Sequence, residues 1–93
     1  MRPRELVFRV HAVKRMFQRS ISAADIRAVL EQGNIIEEYP DDQPYPSRLF
    51  LGKVNSRFLH VVVADRPDAH ETIIITVYEP DPMRWDTSFR LRL

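Results

Sequence analysis

The amino-acid sequence predicts an α+β domain, with two N-terminal helices packed on one face of a mostly antiparallel sheet of about four strands. Helical spacing of apolar residues, three and four apart, is confined to the first third of the chain. From residue 35 onward, short runs rich in Val, Ile and aromatic residues alternate with turn residues, as is typical of strands. A chain of 93 residues has the length of one domain, so we expect a single domain over residues 1–93.

The first predicted helix begins near Phe8 or Val10 and ends near Gln18. At about 100° per residue, its side chains separate into an apolar arc and a polar arc. The apolar arc, expected to be buried, comprises Val10, Ala12, Val13, Met16 and Phe17; the polar arc comprises His11, Lys14, Arg15, Gln18 and Arg19. A cationic stripe with a histidine therefore faces solvent or a groove, and it is either an ordinary solvated face or a binding surface.

The second predicted helix has a clear start signal. Ser22 followed by Asp25 forms a capping box, with Ile21 and Ile26 at the two positions of a hydrophobic staple. We expect Gly33 to end this helix in a left-handed cap.

Four strands are predicted after the helices: Ile35–Tyr39, Arg48–Val54, Arg57–Ala64 and Thr72–Glu79. The three prolines of Pro40–Pro46 indicate a loop, and Asn55-Ser56 is a hairpin turn. A polar loop covers Asp65–Glu71, and a tail with alternating arginines follows from Trp85, which we expect to cover the core.

Strand register decides which residues share a face with His60. The two-residue turn pairs Val54 with Arg57 and so places Leu51 opposite His60. The following loop is expected to place His60 opposite Thr76 and Phe58 opposite Tyr78. One face then carries Lys53, His60, Thr76 and Tyr78; the other is an apolar seam of Phe50, Val54, Leu59, Val61, Val63, Ile73, Ile75 and Val77.

The amino-acid composition excludes several kinds of catalytic and metal-binding site. The chain has no cysteine, which excludes disulfides, cysteine nucleophiles and cysteine metal sites, and its three histidines lack ligand spacing. We therefore expect no metal, no cofactor and a cytoplasmic location, with no membrane-spanning run. The net charge of +1 conceals an asymmetry: residues 1–30 carry seven basic and two acidic side chains, and residues 31–47 carry five acidic and no basic ones.

Several segments together resemble a known family. They are His11-Ala12-Val13-Lys14-Arg15-Met16, Arg19-Ser20-Ile21-Ser22, Ile36-Glu37-Glu38-Tyr39-Pro40, Gly52, His60-Val61-Val62-Val63-Ala64 and Thr76-Val77-Tyr78-Glu79-Pro80. The chain resembles the bacterial family known as domain of unknown function 4258, which is similar in layout to RelE-like and BrnT-like toxins of toxin–antitoxin pairs. The resemblance implies a RelE-like fold and a metal-independent endoribonuclease acting on free or ribosome-bound mRNA. It also implies a small antitoxin partner, of zinc-finger type.

Metal-free RNA cleavage needs a base for the 2′-hydroxyl proton, an acid for the 5′-oxygen and cations for the phosphate. His11 and His60 are the natural acid–base pair, with Tyr78 as a further proton donor or an orienting group. Arg15, Arg19 and Lys53 are the candidate phosphate-binding residues. The sequence leaves open whether His11 and His60 are neighbours.

Two alternatives remain at this point. In the first, the protein is a non-catalytic module whose basic helix binds an acidic protein partner or nucleic acid. In the second, the acidic residues 31–47 fold back over the first helix and neutralise it. A structure that separates His11 from His60 and ties Arg15 to Glu37 or Glu38 would favour either alternative.

Overall fold

A five-stranded mixed sheet, seen in a computed structural model that describes residues 4–93, forms the centre of the protein. Arg2 of the basic N-terminal third lies outside the described residues. The elements in chain order are β1 (Glu5–Phe8), α1 (Val10–Arg19), α2 (Ala23–Gln32), β2 (Asn34–Tyr39), β3 (Ser47–Val54), β4 (Arg57–Arg66) and β5 (Glu71–Tyr78). The strand order is β1-β5-β4-β3-β2, with β1 parallel to β5 and the other pairs antiparallel.

The α+β class is confirmed, but two details of the prediction are wrong. The sheet has five strands, and β1 precedes the helices, so the helices are not N-terminal to the sheet. The short β1 pairs with β5 at the far end of the chain, from Glu5 opposite Glu71 to Phe8 opposite Ile74. A parallel pair needs a long crossover and leaves no local turn signal, which is why the sequence pattern did not reveal it.

Both helices cover the same face of the sheet. Ala12 of α1 and Ile26 and Val29 of α2 belong to one buried cluster with side chains of β4 and β5. The cluster residues from those two strands are Leu59, Val61, Val63, Ile74 and Val77. We call this the helix-covered face and the opposite one the helix-free face.

The predicted apolar arc of α1 is buried only in part. Ala12 is fully buried and Met16 partly, but Val10, Val13 and Phe17 are 73%, 43% and 86% exposed. The helix packs against β5, and beyond β5 the sheet continues only with the four-residue β1. The sheet therefore covers a narrow strip of α1 and leaves the flanking apolar side chains in solvent.

The capping box of α2 is confirmed. Ser22 Oγ accepts a hydrogen bond from the Asp25 amide at 3.0 Å, and Asp25 Oδ2 accepts one from the Ser22 amide at 2.9 Å. The left-handed cap predicted at Gly33 is wrong, because its φ is −83°. Glycine is needed there for space: a Cβ atom would lie 2.4 Å from the carbonyl oxygen of Leu51 and 2.5 Å from that of Val29.

The β3–β4 hairpin has the predicted register, with Val54 opposite Arg57 and Leu51 opposite His60. The β4–β5 register differs by two residues, since His60 lies opposite Tyr78 and Val62 opposite Thr76. The two strands extend to Arg66 and Glu71, which shortens the predicted loop, and a bulge shifts the pairing between Val62 and Val63.

That shift changes the apolar seam. Ile74, rather than the predicted Ile73 and Ile75, lies in the helix-covered core. The predicted set of residues on the other face is unaffected, because a shift of two residues preserves the side to which strand residues point. Neither helix, among residues 4–93, is long and apolar enough to cross a bilayer.

Candidate active site on the helix-free face

The C-terminal segment, residues 80–93, folds over the helix-free face. Trp85 is buried and pairs through its main chain with Arg92, which confirms the prediction that Trp85 covers the core. Asp86 organises the turn between them: its Oδ1 accepts hydrogen bonds from the Ser88 hydroxyl at 2.8 Å and from the amides of Arg90 and Leu91 at 3.1 and 3.3 Å. A segment without regular secondary structure thereby acquires a defined shape.

His60, fully buried on β4, lies beneath this segment. Its Nε2 is 2.8 Å from the carbonyl oxygen of Phe89, and its Nδ1 is 3.2 Å from the hydroxyl of Tyr78. A carbonyl oxygen can only accept, so Nε2 carries the proton, and in the neutral ring Nδ1 accepts from the phenol. Trp85 packs edge-on against the imidazole, with 4.4 Å between ring centroids. Both ring nitrogens are therefore engaged and the tautomer is fixed.

Burial shifts the two titrating groups in opposite directions. It lowers the pKa of His60, because a charged imidazolium is disfavoured away from water. It raises the pKa of Tyr78, because a phenolate is disfavoured for the same reason. At neutral pH the pair consists of an unprotonated imidazole nitrogen and a protonated phenol. One group can accept a proton and the other can supply one.

A cation lies beside this pair. Arg92 binds the carboxylate of Glu37 on β2 in a two-pronged contact, with Nε 3.1 Å from Oε2 and Nη2 3.1 Å from Oε1. The hydroxyl of Tyr39 donates to the same carboxylate. Burial alone would raise the pKa of Glu37, but the hydrogen bonds from Arg92 and Tyr39 outweigh it and lower the pKa. The bond to Glu37 likewise raises the pKa of Arg92, whose guanidinium lies 4.6 Å from the centroid of the Trp85 ring.

An open cavity of about 280 Å³ borders the cluster. It is lined by Tyr78, Glu79, Asp81, Arg84, Trp85 and Arg92. A ligand in it would reach the phenol and two guanidinium groups without entering the core. No group of three or more His, Asp or Glu side chains within residues 4–93 could hold a metal ion.

The predicted site residues divide between the two faces of the sheet. His60 and Tyr78 are brought together on the helix-free face, and Lys53 lies on the same face, with its Nζ 5.3 Å from the centroid of the Phe58 ring. His11 and Arg19 are exposed on α1, and Arg15 is half-buried there. Since α1 packs on the opposite face, His11 and His60 do not form a pair.

Sequence reasoning missed Glu37, Tyr39 and Arg92. Glu37 and Tyr39 are two residues apart on one strand, so their side chains share a face. The alternation of Arg90 and Arg92 in the tail was a signal that these two arginine side chains share a side. In residues 4–93 neither Glu37 nor Glu38 pairs with Arg15, and the partner of Glu37 is Arg92. The alternative in which these acidic residues neutralise α1 through Arg15 is therefore wrong.

Comparison with known proteins identifies a family. A search of curated proteins and a search of solved structures each gave no match. A family model described as a domain of unknown function (DUF4258) matches residues 8–79. The matched range runs from the end of β1 through β5 and contains both His60 and Tyr78. The chain therefore belongs to the DUF4258 family of domains of unknown function.

Proposed function

We propose that this protein is a metal-independent endoribonuclease, the toxin of a bacterial toxin–antitoxin pair, with its active site on the helix-free face. The observation that carries the proposal is the hydrogen-bonded pair of His60 and Tyr78, a neutral imidazole that can accept a proton and a phenol that can supply one, beside the guanidinium of Arg92. Phosphodiester cleavage by an internal hydroxyl requires these three functions together.

In the proposed reaction the 2′-oxygen attacks phosphorus while its proton passes to Nδ1 of His60. Tyr78 gives its phenolic proton to the departing 5′-oxygen, so the products are a 2′,3′-cyclic phosphate and a 5′-hydroxyl. The imidazolium then returns a proton to the phenolate along the hydrogen bond that joins them, which restores both groups. Arg92, with Lys53 farther along the same face, offsets the charge that builds on the phosphate.

We further propose that the fold is RelE-like. The order β1-β5-β4-β3-β2 supports this, because both helices lie on one face and the His60–Tyr78 pair lies on the face that they do not cover. His11 has no role as an acid or base in this proposal, because α1 lies on the opposite side of the sheet from His60.

The test is cleavage of a defined RNA in EDTA from about pH 5 to about pH 9, with protein freed of any co-purified partner. Tyr78→Phe and His60→Gln should each reduce the rate by roughly 10²–10⁴-fold, and the double variant should be little worse than either. Unfolding curves establish that each variant is folded, and Tyr78→Phe retains the packed ring. An equal loss in His11→Ala would instead assign the chemistry to α1. Wild-type protein that neither cleaves RNA, with or without ribosomes, nor arrests growth contradicts the proposal.

A second function is favoured by the surface of α1, which we propose binds a small acidic protein partner such as an antitoxin. Val13 and Phe17 line an open hollow of about 430 Å³ with Met16, Ser20 and Ile21. The helix contains no acidic residue, and in the described part of the chain the side chains of Lys14, Arg15 and Arg19 form no ion pair. An apolar surface bordered by unpaired cations complements a segment that alternates apolar and acidic side chains.

A synthetic amphipathic helix bearing leucine on one face and glutamate on the other is the probe for this surface. Phe17→Ser and Lys14→Glu should each weaken its binding about tenfold or more, whereas Arg84→Glu, on the other face, should not. If Lys14→Glu abolishes binding of an RNA oligonucleotide while Phe17→Ser does not, the surface belongs to nucleic acid rather than protein. Peptide binding that neither variant changes contradicts this second function.

A further inference from the structure

The candidate active site is closed in this structure. The His60 side chain has no exposed surface, its Nε2 is capped by the carbonyl of Phe89, and Trp85 packs against its ring. Both covering residues belong to the C-terminal segment 80–93. A polymer such as RNA can reach His60 only after this segment moves away.

A small set of side-chain contacts holds the segment to the sheet. Trp85 packs edge-on against His60, and Phe89 lies with its ring tilted against that of Phe58, with 5.0 Å between ring centroids. The polar contacts are the Phe89 carbonyl on His60 and the bonds from Arg92 to Glu37 and Tyr39. The Arg92 side chain is 59% exposed, so water, salt and an anionic ligand can reach its two-pronged contact with Glu37. Phe89 has a φ of 60°, which residues other than glycine rarely adopt, so closure also requires an unfavourable backbone conformation.

The chemistry of the Arg92 contact indicates what could open it. A guanidinium group binds a phosphate with the same two-pronged geometry that it uses for a carboxylate. Arg92 lines the open cavity together with Arg84, whose side chain is 83% exposed. A phosphodiester entering this cavity would meet Arg92 before it met His60.

We propose that residues 80–93 form a strap that closes the active site, and that single-stranded RNA opens it by drawing Arg92 from Glu37 onto a phosphate. The inference rests on the proposed function. Opening would carry Phe89 and Trp85 away from His60, so one exchange of partners by Arg92 would both bind the substrate and expose the base.

Trp85 provides the measurement, because it is the single tryptophan of the chain and lies in the strap. The probe is a short 2′-O-methyl RNA oligonucleotide, which lacks the 2′-hydroxyl nucleophile and cannot be cleaved by this route. At saturation we expect the Trp85 emission to shift to the red and its quenching by acrylamide to increase. This readout does not depend on catalysis.

Two pairs of variants isolate the exchange. Glu37→Gln weakens the closing ion pair, so Trp85 should be more quenchable without ligand and the oligonucleotide should bind about three- to tenfold more tightly. Glu38→Gln makes the same charge change at an exposed neighbouring position and should do neither. Arg92→Gln should open the strap, but the oligonucleotide should not bind more tightly, because the contact between Arg92 and phosphate is lost. Arg90→Gln, in the same segment, should leave the strap closed.

The possible results distinguish the strap proposal from the proposed ribonuclease function. Opening by the oligonucleotide without cleavage of ordinary RNA retains the strap and overturns the proposed function. Cleavage with an unchanged Trp85 signal overturns the strap alone. Glu37→Gln behaving like Glu38→Gln, or no binding of the oligonucleotide at low salt, also overturns the strap.

Discussion

Arg57, the first residue of β4, ends α1 by binding the main-chain carbonyl oxygen of Arg19, with Nη1 2.7 Å from that oxygen. Its Nη2 lies 2.9 Å from the carbonyl oxygen of Ser20, and Nη1 is also 3.2 Å from Oε1 of Glu79. The last carbonyls of a helix have no partner within the helix. One guanidinium therefore ties the end of α1 to β4 and to Glu79, the residue that follows β5.

Replacement of this guanidinium should destabilise the protein. Arg57→Ala is expected to lower the free energy of unfolding by about 1 kcal/mol, because two exposed carbonyls exchange a charged donor for water. Arg57→Lys should recover only part of this, since an ammonium cannot reproduce the planar fork. Urea denaturation provides the measurement, with Arg27→Ala on exposed α2 surface as the control. Full recovery by lysine would show that charge alone is needed.

The lowered pKa of His60 predicts how stability depends on pH. Above the ordinary value of 6.5 the folded and unfolded chains both carry a neutral imidazole, and this residue contributes no pH dependence. As the pH falls below 6.5, the unfolded chain binds a proton that the folded chain excludes. Stability should then decrease, by up to about 1.4 kcal/mol per pH unit, until the pH reaches the lowered pKa of the folded state.

His60→Gln isolates this contribution, because glutamine does not titrate. The free energy of unfolding of the variant should depend less on pH just below 6.5 than that of the wild type. Carboxylates with lowered pKa, such as Asp65 and Asp86, lose their stabilising effect at more acidic pH in both proteins and cancel in the comparison. Parallel curves for the two proteins would mean that the folded state protonates His60 freely.

Gly33→Ala should destabilise the protein by about 2 kcal/mol or more. The added Cβ atom would lie 2.4 Å and 2.5 Å from two backbone oxygens, and neither β3 nor the end of α2 can move away cheaply. Thermal or urea unfolding measures the effect, and Gln32→Ala at the adjacent exposed position is the matched control. A change as small as that of the control would indicate that α2 ends elsewhere.

Ser22→Ala should cost about 1 kcal/mol by removing the acceptor for the Asp25 amide. Ser22→Asp keeps an acceptor at the same position and should stay within a few tenths of a kcal/mol of the wild type. The comparison by urea denaturation separates the cap from other effects of the substitution. If aspartate were as destabilising as alanine, the hydrogen bond would not be the source of the loss.

Local signals were sufficient for elements whose partners are close in sequence. The capping box depends on residues three positions apart, and the β3–β4 register depends on a two-residue turn; both are confirmed. The β4–β5 register failed because a longer loop and a bulge allow pairings that the sequence pattern cannot distinguish. The loop shifts the pairing by one residue and the bulge shifts it by one more, so Tyr78 rather than Thr76 lies opposite His60. A total shift of two residues keeps each side chain on the same side of the sheet, so the face was predicted correctly.

The sequence by itself determined the α+β class, the two helices, the hairpin and the side of the sheet to which His60 and Tyr78 point, because each follows from a short-range period or turn. Tertiary structure alone decided that β1 pairs with β5, that Phe17 stays exposed and that Arg92 meets Glu37 across 55 residues of chain. Those contacts depend on packing between segments that are far apart in the sequence, and such packing produces no periodic pattern in the sequence. The grouping of Glu37, His60, Tyr78 and Arg92 on one face is a product of that packing.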